Sequence, residues 1–237
     1  MSQQTLMELI KEDQPLFYPV IPFDAQKDKL IQLDFTEANR QLTGDILDDT
    51  ALFCEYIDAQ LLRYQARYGI GGYAEHRTIY SRSRLFDGQP GEEPRRIHLG
   101  IDIWGKAGTP VAAPLDGIVH SFARNDLPGD YGATIILRHS LNDIFFHTLY
   151  GHLSALSVSH LREGDSISKG TTFAWFGAPA ENGQWPPHLH FQVIKDMQGY
   201  KGDYPGVCKY AEKEKYLQNC PDPDGILQLN RFAKQYL

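Results

Sequence analysis

The sequence predicts a mainly β protein, with an antiparallel sheet or sandwich core that has an open groove and with helical N- and C-terminal additions (α+β overall). Short β-type runs cut by glycines fill the chain from Arg95 to about Lys195. Helical apolar spacing occurs before this part, and polar helical sequence follows Gly202. The predicted regions are therefore 1–94, 95–200 and 201–237.

Length and composition are typical of a globular protein. The chain has 237 residues, of which 42% are hydrophobic and 22% charged, which excludes a fully disordered chain. The formal net charge of −7 argues against nucleic-acid binding, which needs a basic surface. No apolar run approaches 18 residues, so no membrane span is predicted. The N-terminus lacks a basic region followed by an apolar stretch, so no signal peptide is predicted and the expected location is cytoplasmic.

The three cysteines are odd in number and far apart, at Cys54, Cys208 and Cys220. Neither a thiolate zinc site nor a disulfide framework is indicated by this spacing. Reduced thiols are therefore expected.

The N-terminal region contains one clear helix. Apolar residues at helical spacing predict it over 52–64, with Asp49 or Thr50 as the N-cap. Glycines follow, so the helix is expected to end near Tyr68. Upstream, the alternation over 29–35 is typical of an edge strand.

The central region consists of short strands. A loop over 86–94, with two prolines and two glycines, is the expected boundary before it. After the central region, a helix is predicted over 211–218. The predicted strands lie at 111–114, 118–122, 133–139 and 144–149.

Two histidines begin a later strand. Two prolines precede His188, and apolar residues follow His190, so the pair lies on a strand. Strand alternation places both imidazoles on one face, with their Cα atoms about 6.6 Å apart. They can therefore reach one small site, although two exposed strand histidines would satisfy the same pattern.

A third histidine lies four residues before an aspartate. On a straight strand His98 and Asp102 would be about 13 Å apart, too far to share a metal. Gly100 lies between them, and we expect the backbone to bend there, so that His98 comes from a loop and Asp102 from a strand. A straight segment would exclude shared ligation.

One carboxylate and two imidazoles are a suitable ligand set for catalytic zinc. Both ligand types bind zinc at about 2.0–2.2 Å, and three protein ligands leave one position open. Two further histidines could then move a proton or stabilise an oxyanion.

The ordered motifs HxxxD, YGHLS and HLHF occur here at 98–102, 150–154 and 188–191. Together with the glycine turns between them, they resemble the lysostaphin-type (LytM-like) zinc metalloendopeptidases, which cut peptide cross-links in bacterial cell wall. The resemblance covers about Arg96 to Ile194.

This resemblance implies one Zn²⁺ held by His98, Asp102 and His190, with His152 and His188 as catalytic histidines. It implies a peptide or peptidoglycan substrate, and export or a periplasmic location if the wall is that substrate. Beside the site, Tyr150 and Trp185 are candidates for the substrate groove. Tyr150 could equally be a half-buried strand-end aromatic residue.

Other functions fit parts of the sequence. A cytosolic zinc hydrolase of small peptides or muropeptides needs the same chemistry and no signal peptide. A non-catalytic cell-wall binding module could use the same fold without zinc. Glu75 and His76 could alternatively plug the zinc in a latent state. The oligomeric state is not predicted.

Overall fold

The computed structural model describes residues 4–234. Its helices are α1 (Leu6–Glu12), α2 (Gly44–Asp48), α3 (Thr50–Tyr64), α4 (Lys213–Asn219) and α5 (Asp224–Leu227). Its strands are β1 (Leu30–Leu33), β2 (Tyr68–Gly71), β3 (Ile97–His98), β4 (Ile101–Trp104), β5 (Pro110–Ala112), β6 (Gly117–Asn125), β7 (Gly132–Leu141), β8 (Ile144–Leu153), β9 (Ser166–Ile167), β10 (Thr172–Trp175), β11 (His188–Ile194), β12 (Val207–Cys208) and β13 (Ala233–Lys234).

A nine-stranded sheet organises the fold, in the order β13-β1-β2-β4-β11-β8-β7-β6-β9. Its pairs are antiparallel except where β1 meets β2 and β13. Two small antiparallel pairs, β5 with β10 and β3 with β12, complete the strands. The predicted fold class, a sheet-rich core with helices added, is confirmed.

Both flanking regions contribute strands to this sheet. β1 and β2 come from the region before residue 95 and β13 from the region after residue 200. β2 pairs directly with β4, so the flanks continue the central sheet. The division into 1–94, 95–200 and 201–237 stays a prediction. Residues 1–3 of the first region and 235–237 of the last lie outside the described residues.

The predicted end of the long helix is wrong. The Asp49 side chain caps α3 by accepting from two backbone N–H groups, and the helix ends at Tyr64, followed by the C-cap residue Gln65 with a φ of +53°. Tyr68 instead begins β2. Of the glycines that predicted a helix end, Gly69 and Gly71 lie in that strand and Gly72 follows it. Gly69 is packed directly against the Leu33 side chain.

The predicted edge strand lies inside the sheet. β1 forms the middle of a parallel trio, with β2 on one side and β13 on the other. The alternation indicated a strand correctly, but it contains no information about which strands cover its two edges.

The sequence predicts reduced thiols and no membrane span. All three cysteines are free. Between residues 4 and 234, no helix combines the length and the apolar character that crossing a bilayer would need.

Replacing Gly69 with alanine is expected to destabilise the fold. The added Cβ would lie 2.8 Å from Leu33 Cγ, and overpacking of this kind costs about 1–3 kcal/mol of unfolding free energy. Gly44→Ala is the control, because no atom lies within 4 Å of a Cβ there and the expected change is below about 1 kcal/mol. Urea unfolding compares the two, and equal midpoints would contradict this packing.

Candidate metal centre

Three side chains from three strands meet at one buried point. His98 ends β3, Asp102 lies on β4 and His190 lies on β11, directly opposite Asp102. His98 Nε2 and His190 Nδ1 are 3.0 Å apart. Asp102 Oδ1 lies 3.2 Å from the first nitrogen and 3.0 Å from the second. We call these three atoms the inner triangle.

The backbone bends between His98 and Asp102, as the spacing of the two residues requires. β3 ends at His98 and β4 begins at Ile101, so the two residues belong to separate strands. Gly100 is needed at the bend, because a Cβ there would lie 2.6 Å from His190 Cε1. His98 lies in a two-residue strand paired with β12, and not in the loop that the sequence suggested.

Hydrogen bonds fix the tautomers of both imidazoles. His98 Nδ1 lies 2.9 Å from the Gly72 carbonyl oxygen, which can only accept, so Nδ1 carries the proton. His190 Nε2 lies 2.9 Å from Gln192 Oε1. The Gln192 amide donates to the Pro205 carbonyl, so its oxygen faces His190 and accepts from Nε2. In these tautomers, each of the two nitrogens in the inner triangle presents a lone pair.

Burial and neighbouring charges lower the pKa of two groups of the inner triangle, His98 and Asp102. Burial lowers the pKa of His98 to about 4, and the Arg77 guanidinium adds to this shift. Burial alone would raise the pKa of the Asp102 carboxyl. His98 and Arg77 outweigh this effect, and the pKa lies well below its usual range. At neutral pH, the His98 imidazole is therefore neutral and the Asp102 carboxylate is ionised.

This arrangement fits a divalent metal ion. The three residues are the group of potential ligands found among residues 4–234. Tetrahedral ligands at about 2.0–2.1 Å from zinc lie about 3.3 Å from one another, close to the 3.0–3.2 Å sides of the inner triangle. Two imidazoles and a carboxylate are also the ligand types that zinc binds, and a fourth position stays open.

Two more histidines lie beside the inner triangle. Their rings, from His152 and His188, are 4.1 Å apart between centroids. Nδ1 of His152 lies 2.8 Å from the Asn182 carbonyl, and Nδ1 of His188 lies 2.7 Å from the Pro186 carbonyl. Each Nδ1 therefore donates, and each Nε2 presents a lone pair.

Burial keeps both of these rings neutral. It lowers the pKa of His188 to about 4, and the pKa of His152 lies well below its usual value. Trp104 stacks on His188 with centroids 3.9 Å apart and planes 14° apart, which fixes that ring. His152 has a φ of +61°, a conformation that non-glycine residues adopt mainly where function or packing demands it.

A cavity of about 260 Å³ opens onto this group. Asp102, His152, His188 and His190 line it, and Trp185 forms part of its wall. Other walls come from outside the central region, including Tyr80 and Phe86 before it and Tyr204 after it. The predicted groove is thus narrowed by both flanking regions.

Tyr150 does not border this cavity. It pairs with Phe191 across the strands, whereas the neighbouring Gly151 pairs with His190. Paired residues share a face, so Tyr150 faces away from the inner triangle. Its ring is fully buried against Phe173 and Phe191.

The suggested plug of Glu75 and His76 is not formed. The Glu75 carboxylate accepts from Arg77 Nε at 2.8 Å, and His76 is exposed. Two supporting residues escaped the sequence reasoning. Gln192 could have been found, because it lies two residues after His190 on the same strand face. Arg77, which donates to Asp102 Oδ2, carries no sequence signal.

The fold and the site define a buried group of candidate metal ligands beside two neutral histidines, an arrangement that suits a metal-dependent hydrolase. Residues 96–202 match the model of Peptidase family M23. These residues, just under half of the chain, are therefore similar to the M23 family, in agreement with the motifs that resemble the lysostaphin-type (LytM-like) enzymes.

Curated relatives are similar mainly over this domain. The chain is 36% identical over 98 residues to the DD-carboxypeptidase/endopeptidase Mpg of Neisseria meningitidis serogroup B, covering 41% of this chain and 20% of the relative. It is 27% identical over 151 residues to the L-Ala--D-Glu endopeptidase of Bacillus subtilis, and the match covers 59% of this chain and 44% of that relative. The chain therefore spans about a fifth of the length of the Neisseria relative and less than half of the length of the Bacillus relative.

Among solved structures, the catalytic domain of lysostaphin from Staphylococcus simulans is 25% identical with a TM-score of 0.39. That match covers 56% of this chain and 80% of the lysostaphin domain.

Removing one corner of the inner triangle is expected to abolish tight metal binding. His98→Ala or His190→Ala leaves two ligands, so zinc content after dialysis should fall from one ion per chain to near zero. His160→Ala, which alters an exposed histidine, is the control and should keep its zinc. Elemental analysis measures this, and full zinc in the His190 variant would contradict the ligand set.

Proposed function

We propose that this chain is a zinc-dependent peptidase that hydrolyses amide bonds in peptidoglycan stem peptides or cross-links. One observation carries the proposal: two neutral histidines present free Nε2 atoms beside a triangle of metal-binding atoms, in one cavity. Similarity to the M23 family and the printed functions of the relatives support this substrate class.

We assign one zinc ion to His98 Nε2, Asp102 Oδ1 and His190 Nδ1. When bound, zinc supplies Lewis-acid polarisation of a carbonyl group and lowers the pKa of water. The backbone carbonyl of Gly72 and the amide of Gln192 hold the two imidazoles in the orientation that ligation requires.

We assign proton transfer and charge stabilisation to His152 and His188. Nε2 of a neutral imidazole accepts a proton from the attacking water and, once protonated, donates it to the leaving amine. The carbonyls of Asn182 and Pro186 keep each Nδ1–H in place, so each ring works through Nε2. Imidazolium formed at this position also stabilises a neighbouring oxyanion.

Truncating either histidine is expected to separate catalysis from metal binding. His152→Ala and His188→Ala should each lower kcat by about 10²–10⁴ because proton transfer is lost. Zinc content should stay at one per chain, because neither side chain belongs to the inner triangle. Steady-state kinetics with elemental analysis tests both, with His160→Ala as control. A His188→Ala enzyme of normal rate would contradict the assigned role.

The small cavity favours a second candidate substrate. At about 260 Å³ it lies below the roughly 300–1,000 Å³ usual for ligand pockets. Aromatic residues from both flanking regions narrow it. A hydrolase of small peptides or free muropeptides would suit this size better than an enzyme acting on intact cross-linked wall.

Digestion of defined muropeptides tests the proposal. The zinc-loaded chain is incubated with cross-linked dimers and with monomeric stem peptides, and mass spectrometry locates the broken bond. Cleavage of dimers supports the wall enzyme, whereas cleavage of monomers alone supports the small-peptide hydrolase. Loss of cleavage with a chelator and recovery with zinc is expected in either case. No cleavage of any peptide by zinc-loaded protein would contradict the proposal.

A further inference from the structure

We infer that Arg77 is a positioning residue of the metal centre, which holds Asp102 and, through the Gly72 carbonyl, His98 in their ligand geometry. The inference rests on the proposed function, because it concerns metal binding at the inner triangle. Arg77 lies before the residues that match the family model, in the segment between β2 and the 3₁₀ turn Ile79–Arg82.

The fold builds a closed seat for this side chain. Arg77 has no solvent exposure, and its backbone N–H donates to the Arg96 carbonyl at 2.9 Å. The guanidinium carbon lies 5.2 Å from the Phe35 ring centroid and 6.0 Å from that of Tyr80. At Gly71 a Cβ would lie 2.6 Å from Arg77 Nη2, so glycine leaves the space that the guanidinium fills.

The guanidinium links two of the three ligands. Nη1 donates to Asp102 Oδ2, which leaves Oδ1 for the inner triangle. Nη2 donates to the Gly72 carbonyl at 3.2 Å, and the same oxygen accepts from His98 Nδ1 at 2.9 Å. One rigid, planar group thus orients the carboxylate directly and the imidazole through a shared acceptor.

Glu75 makes this buried cation compatible with a metal ion. A positive charge beside a ligand would repel a divalent cation in a site of low dielectric constant. Glu75 accepts from Arg77 Nε at 2.8 Å and neutralises it. Arg77, Glu75 and Asp102 together keep one net negative charge, so the charge of Asp102 remains available to the ion. A role in folding alone would not require this balance.

Arg77→Lys in the full chain tests the inference. Lysine keeps the charge but cannot make the same forked contacts, so the zinc Kd, measured by chelator competition, should rise about 10–100-fold. Arg67→Lys is the matched control. Arg67 directly precedes β2, whereas Arg77 follows that strand, and Arg67 pairs with Asp28 at 2.8 Å near the surface. Its zinc Kd should match that of the parent chain. The visible spectrum of Co²⁺-loaded protein, which reports ligand geometry, should change only in the Arg77 variant.

Glu75→Gln gives an independent measurement if Arg77→Lys fails to fold. The variant preserves the contact between Arg77 and Asp102 but leaves the charge of Arg77 without its Glu75 partner. The zinc Kd should therefore again rise about 10-fold or more. A folded variant of either kind with a zinc Kd within about twofold of the parent would overturn the inference. A parent chain that binds no zinc would instead contradict the proposed function.

Discussion

Three buried ligand atoms, from two imidazoles and one carboxylate, lie 3.0–3.2 Å from one another at the centre of this protein. Each imidazole has its N–H group turned outward to an acceptor, and the carboxylate is held ionised by its neighbours. Such an arrangement is unfavourable unless a cation occupies the space between the three atoms. Binding of a cation would therefore explain why both imidazoles turn their N–H groups away from the inner triangle.

The sheet supplies the precision of the arrangement. Asp102 and His190 are directly paired on neighbouring strands, so their separation is set by the ladder itself. Two residues along the same ladder, Trp104 pairs with His188 and stacks on its ring, which positions the first of the two neighbouring histidines. The second, His152, reaches the same cavity from β8 through a strained backbone. Strands thus hold both the candidate ligands and the two neighbouring histidines, and the flanking regions line the cavity beside them.

Local rules and a family resemblance predicted much of the site. Strand alternation places His188 and His190 on one face, and the length of a straight strand requires the bend at Gly100. The grouping of distant histidines into one ligand set came from the resemblance, because spacing alone cannot bring residues 98 and 190 together. Tyr150 was misplaced because its motif neighbours are at the site, whereas strand register decides which face it occupies.

Non-local packing explains what the sequence did not predict. Gly69 and Gly71 are poor strand formers by local preference, yet they lie inside the sheet because large side chains fill the space above them. Arg77 belongs to an irregular segment without periodicity, and its partner Asp102 is 25 residues away. The walls that the two flanking regions add to the cavity likewise come from residues far apart in the sequence, such as Tyr80 and Tyr204.

A crystal structure with anomalous diffraction at the zinc absorption edge tests the central claim most directly. The account predicts a single strong peak at about 2.0–2.2 Å from His98 Nε2, Asp102 Oδ1 and His190 Nδ1. A peak ligated by His152 or His188 in place of one of these atoms, or no peak in zinc-loaded active protein, would contradict it.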